Sequence, residues 1–77
     1  MFMSPEQCRA ARGLIDWSQQ ALAEHALVGL STVRDFEKGR RIPHENRLKS
    51  IKNALENAGV LFIAENGEGP GVRLKKS

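Results

Sequence analysis

The stretch from Ser18 to Gly39 constrains this chain most, because it holds two short helical patterns separated by too few residues for anything but a tight turn. Ser18 can cap the first pattern. Leu22, Ala23 and Ala26 then recur on one face, with Gln19, Gln20 and Glu24 on the other. Ala26-Leu27-Val28-Gly29 breaks the periodicity and reads as the turn. The second pattern runs from about Leu30 to Lys38 and stops at Gly39, a residue suited to the position after a helix. Val33 and Phe36, three apart, point inward. Leu30, Ser31, Arg34, Asp35 and Lys38 point outward. The first helix therefore lies across the second and leaves one face of the second clear of the protein.

The flanking segments supply the rest of a small core. Ser4-Pro5-Glu6-Gln7 joins a capping residue, a proline at the first helical position and a glutamine able to close a capping box. A helix over 5–15 follows, with Cys8, Ala11, Leu14 and Ile15 inward, and Trp17 is expected in the core. Arg40-Arg41-Ile42-Pro43 is a linker with Ile42 as its apolar anchor. A helix over 44–58 carries the stripe Leu48, Ile51, Leu55 and Ala58, and Gly59 stops it. Val60–Ala64 and Val72–Lys75 have strand composition, and the glycine-rich stretch 65–71 with its Asn-Gly pair is a loop between them. The fold class is thus mainly α: four to five helices with a C-terminal β-hairpin or strand pair. With 77 residues the chain is expected to be one domain, residues 4–59 forming the helical part and 60–77 a strand extension. A core of that size is marginal, so a second copy would help to stabilise it.

Charge is uneven along the chain. Lys and Arg number 12 against 9 Asp and Glu. Arg34, Lys38, Arg40, Arg41, Arg47, Lys49 and Lys52 crowd into one stretch with only Asp35, Glu37 and Glu45, while the remainder is near neutral. Such a basic segment is either a polyanion-facing surface or a solvated charged face. A single cysteine, Cys8, excludes an internal disulfide and fits a reducing interior. No apolar run reaches membrane-span length and the first residues have no leader pattern, so a soluble, cytoplasmic protein is expected. Enzyme chemistry finds little support. Cys8, His25 and His44 are too widely spaced for metal ligation, and no glycine-rich loop follows a strand to cradle phosphate. No cofactor and no metal are expected, and His25 and His44 are read as surface helix residues.

A protruding helix of this kind suits a DNA major groove, which is about 12 Å wide and exposes base edges to side chains. The N-terminus of the preceding helix would face the backbone, where its free N–H groups suit phosphate. The residues that carry this pattern are Ser18-Gln19-Gln20-Ala21-Leu22-Ala23-Glu24 and, after the turn, Ser31-Thr32-Val33-Arg34-Asp35-Phe36-Glu37-Lys38-Gly39-Arg40-Arg41-Ile42-Pro43. They resemble the lambda-repressor-like helix-turn-helix family of phage and bacterial regulators, ungapped from Ser18 to Pro43. With the first and fourth helices, the resemblance covers about 4–59.

The resemblance implies that Gly29, Leu30, Ser31, Arg34 and Asp35 face the bases. Arg34 could take guanine or a phosphate; Asp35 could accept from cytosine or orient Arg34. It further implies phosphate contacts at Gln19, with Lys38, Arg40 and Arg41 flanking the groove, and a structural ion pair between Arg12 and Glu37. Three departures stand out. Leu27 replaces the usual turn glycine and must turn left-handed at about 1 kcal/mol if the turn keeps its shape. Gly29 is a weak cap for the second helix of the motif. Strands replace the fifth helix. The expected partner is double-stranded DNA, bound by a homodimer joined through the C-terminal strands and acting as a repressor. The alternative is an antitoxin-type regulator that also binds a partner protein, although only about 18 residues follow the fourth helix.

Overall fold

A computed structural model describes residues 2–76. Four helices come first: α1 (Pro5–Ile15), α2 (Gln19–Ala26), α3 (Leu30–Glu37) and α4 (Glu45–Asn57). Two antiparallel strands follow, β1 (Val60–Ile63) and β2 (Gly71–Leu74). The fold is mainly helical, with four helices and a C-terminal hairpin.

Local chemistry sets each boundary. Ser4 Oγ accepts from the Gln7 N–H at 3.0 Å, and Gln7 Oε1 accepts from the Ser4 N–H at 2.8 Å, which completes the capping box of α1. Ser18 Oγ accepts from the Ala21 N–H at 3.0 Å and starts α2. Leu27 ends α2 in the left-handed region at φ 58°, ψ 41°, so the turn keeps its shape without a glycine. Gly29 precedes α3 without a side-chain cap bond. Lys38 is the C-cap of α3, and Gly39 follows at φ 74°, a conformation open to glycine. His44 lies just outside α4 rather than within it. Its Nδ1 accepts from the Asn46 N–H at 3.4 Å.

The inward stripes meet in one core. Phe36, Leu22, Ile51, Leu55, Val33 and Val60 are buried, as are Cys8, Ala11, Ala23, Ala26 and Leu48. Trp17 is half-buried against this cluster and stacks on His25 with ring centroids 4.2 Å apart. Met3 is also buried, an apolar contribution from before the first cap that periodicity does not reveal. Some expected core residues lie elsewhere. Ile42 is 66% exposed, because the linker it occupies runs over the surface. Leu14 is exposed because the inward stripe of α1 runs through Cys8, Ala11 and Ile15, and Ala58 is exposed at the C-cap of α4.

The hairpin is fastened to the helices. Val60 pairs with Leu74 and Phe62 with Val72, so these four share one face; Val60, Phe62 and Val72 pack on the helices there, whereas Leu74 is exposed. Leu61, opposite Arg73, lies on the other face. The buried side-chain amide of Gln7 donates to the carbonyls of Ile63 (3.3 Å) and Gly71 (3.0 Å), pinning the open loop end of both strands to α1. The Lys75 N–H donates to the Gly59 carbonyl at the other end. Strand β1 stops at Ile63, one residue short of expectation, and β2 is shifted one residue earlier.

Candidate nucleic-acid interface

Helix α3 shows its exposed face where the packing of α2 leaves it uncovered. Gly29, Ser31 and Arg34 are exposed, and Thr32 and Asp35 are half-buried. Leu30 departs from the outward position expected of it: it is half-buried and packs on the core. Among the described residues, Arg34 and Asp35 enter no salt bridge with each other or with any other group, so both remain available to an external partner. Ser31, Thr32 and Asp35 line one surface depression with Arg41, His44 and Arg47. Lys38, Arg40 and Arg41 are exposed beyond the end of α3.

A polar cluster beneath this face fixes α3 to α1 and α2. Glu37 is 2% exposed, and four donors surround its carboxylate. Arg12 Nε donates to Oε2 at 2.8 Å and Arg12 Nη2 to Oε1 at 2.7 Å, a bidentate pair. Gln19 Nε2 donates to Oε1 at 3.0 Å and Cys8 Sγ to Oε2 at 3.1 Å. A third Arg12 nitrogen, Nη1, donates to the Trp17 carbonyl, and Arg9 Nη1 donates to the Glu37 carbonyl. Burial pushes the Glu37 carboxyl upward. Hydrogen bonds from Arg12, Gln19 and Cys8, with the Arg12 charge, outweigh that and hold it below the usual carboxylate range. Burial, and then the bond to Glu37, drives the Cys8 thiol well above the ordinary thiol range, so it stays protonated and donates.

The sequence pattern marks Gln19 as a phosphate contact, whereas here its amide is engaged with Glu37 at the N-terminus of α2. Cys8 as a polar donor, Arg9 as a contact to α3 and Gln7 as the hairpin anchor lie outside the pattern. Arg9 does carry a signal, since it stands three residues before Arg12 and shares its face of α1. No group of His, Cys, Asp and Glu that could hold a metal ion occurs among the described residues. No helix among them is long and apolar enough to cross a membrane.

A capped helix, a tight turn and a second helix with an uncovered face define a helix-turn-helix protein. A family model described as helix-turn-helix matches residues 9–57, from within α1 to the end of α4. The chain belongs to the lambda-repressor-like helix-turn-helix family, whose members are DNA-binding transcription regulators and not typically enzymes. No curated protein matches this chain.

Proposed function

We propose that the protein is a transcriptional repressor that works in the cytoplasm as a homodimer, laying α3 of each subunit in the major groove of double-stranded DNA. The observation that carries this reading is the exposed face of α3. Ser31 and Arg34 stand uncommitted there, and the cations Lys38, Arg40 and Arg41 follow directly in the chain. In this reading Gly29, at the start of α3, lets backbone approach the bases. Ser31 and Arg34 read base edges, Arg34 by a bidentate contact to guanine, and Asp35 accepts from an amino group. Leu30 contributes through its half-buried position rather than as a free side chain. Lys38, Arg40 and Arg41 supply phosphate contacts, with Gln19 presented beside them. The Arg12–Glu37 pair is structural.

The 77 residues act here as one domain, with the helical part on DNA and the hairpin between subunits. Leu61 (37%) and Leu74 (51%), exposed on opposite faces of the hairpin, and a two-stranded sheet with open edges support an edge of the hairpin as the dimer contact.

Selecting bound duplexes from a random pool tests the function. Wild type should enrich a two-fold-symmetric site with half-sites about one helical turn apart. Ser31→Ala and Arg34→Ala should shift the preferred sequence, with about 1–3 kcal/mol lost per base contact. No enrichment by wild type would overturn the reading.

A further inference from the structure

Glu37 organises more than its ion pair with Arg12. The carboxylate holds Arg12 and the Gln19 amide, and the backbone carbonyl of the same residue accepts from Arg9 Nη1. Arg9, Arg12, Gln19, Glu37, Lys38 and Arg40 thereby line one open depression at the C-terminal end of α3. Four cations meet a single carboxylate there, and Arg12 already pairs with that carboxylate through two hydrogen bonds. The depression is therefore strongly cationic. It lies clear of Ser31 and Arg34, so it presents charge beside the base-reading face and not on it.

Arg9 is exposed, and the Glu37 carbonyl uses one of its N–H groups, whereas a guanidinium offers five. That one bond aims the side chain and lowers the entropy lost on binding. We infer that Arg9 is a DNA-backbone contact: held at the end of α3 by the Glu37 carbonyl, its guanidinium takes a phosphodiester oxygen beside Lys38 and Arg40. The inference rests on the DNA-binding reading above. The competing role is a plain cap on the last carbonyls of α3, which needs a donor but no charge.

Arg9→Gln separates the two roles, because glutamine keeps an N–H donor and loses the cation. Binding of the full chain to two labelled duplexes of about 20 bp and unrelated sequence is followed from about 50 to 200 mM KCl. Arg9→Gln should make the log–log salt slope shallower by about 0.9 per subunit, and weaken each subunit's contact with both duplexes about five- to tenfold near 0.1 M salt. Arg9→Lys should restore most of the slope. An unchanged slope in Arg9→Gln, or a loss confined to one duplex, would overturn the assignment of Arg9 while leaving the DNA-binding reading intact. Should Arg9→Gln fail to fold, Arg9→Lys decides by amine acetylation: protection of the position-9 amine by bound duplex supports the contact, and equal acetylation of free and bound protein overturns it. Absence of salt-sensitive binding by the wild type would remove the DNA-binding reading and this contact with it.

Discussion

Glu37 shows how one buried carboxylate can be tolerated in so small a core. Its desolvation is offset by two bonds from Arg12 and one each from Gln19 and Cys8. Removing the carboxylate leaves Arg12, itself only 19% exposed, without its counter-charge. Glu37→Ala should therefore cost about 3 kcal/mol in denaturant unfolding. Making both residues apolar should cost less than the single change, and additive losses would show that the two do not interact. The same cluster predicts a pH dependence. Because the folded carboxyl is held below its ordinary value, its stabilisation is complete above about pH 4.3 and is lost as pH falls through the folded value. Wild type should lose more stability on acidification below about pH 5 than Glu37→Gln, which starts less stable at neutral pH. Equal losses would remove Glu37 from the acid response. Cys8, buried and protonated, should resist alkylation in the native state and react at the rate of unfolding as denaturant is added. Rapid labelling of the native protein would contradict its burial.

The turn between α2 and α3 is the element where sequence and structure are most usefully compared. Leu27 sits at φ 58° and is 91% exposed, so its side chain adds no core contact while its backbone bears the left-handed cost. Leu27→Gly should raise stability by about 0.5–1 kcal/mol, the relief of strain being partly offset by the greater freedom of glycine when unfolded. A loss of stability would mean that Leu27 makes contacts the exposed turn does not show. That strain was legible through the resemblance, which puts a glycine where Leu27 stands; all four helices were legible from spacing, because caps and inward stripes are local signals. Ser4, Ser18 and Gly39 mark ends through bonds or dihedrals made within a few residues. What was not legible depends on distant partners. Nothing near Gln7 says that its amide will reach Ile63 and Gly71, and nothing near Cys8 says that its thiol will meet Glu37. Ile42 was expected to anchor the linker because it is apolar, but its burial depended on a path that the chain does not take. The uncovered positions of α3 were legible because helical geometry fixes them; the burial of Leu30 was not, because it depends on packing against a core built from several elements.

At the scale of the whole molecule, the hairpin and the helical part have separate duties under the proposed function. Val60 is 1% exposed and Gln7 bonds to both strands, so removing the hairpin would also open the core. Surface changes test dimerisation more cleanly. Leu61→Lys with Leu74→Lys should give a folded monomer by sedimentation at concentrations where wild type is dimeric, and an unchanged dimer would exclude the hairpin as the contact. The central claim, that α3 enters the major groove and the basic residues around it hold the backbone, is tested most directly by the salt dependence of binding to a duplex selected from a random pool. A dimer that neutralises about three phosphates per subunit through Lys38, Arg40 and Arg41 should show a log–log slope near −5, deepened to about −7 by Arg9. On that background Arg40→Ala and Arg41→Ala should flatten the slope on every sequence. Arg34→Ala should leave the slope nearly unchanged and abolish the preference for the selected duplex. Salt-independent binding, or an Arg34→Ala variant that loses slope but keeps its sequence preference, would contradict the account.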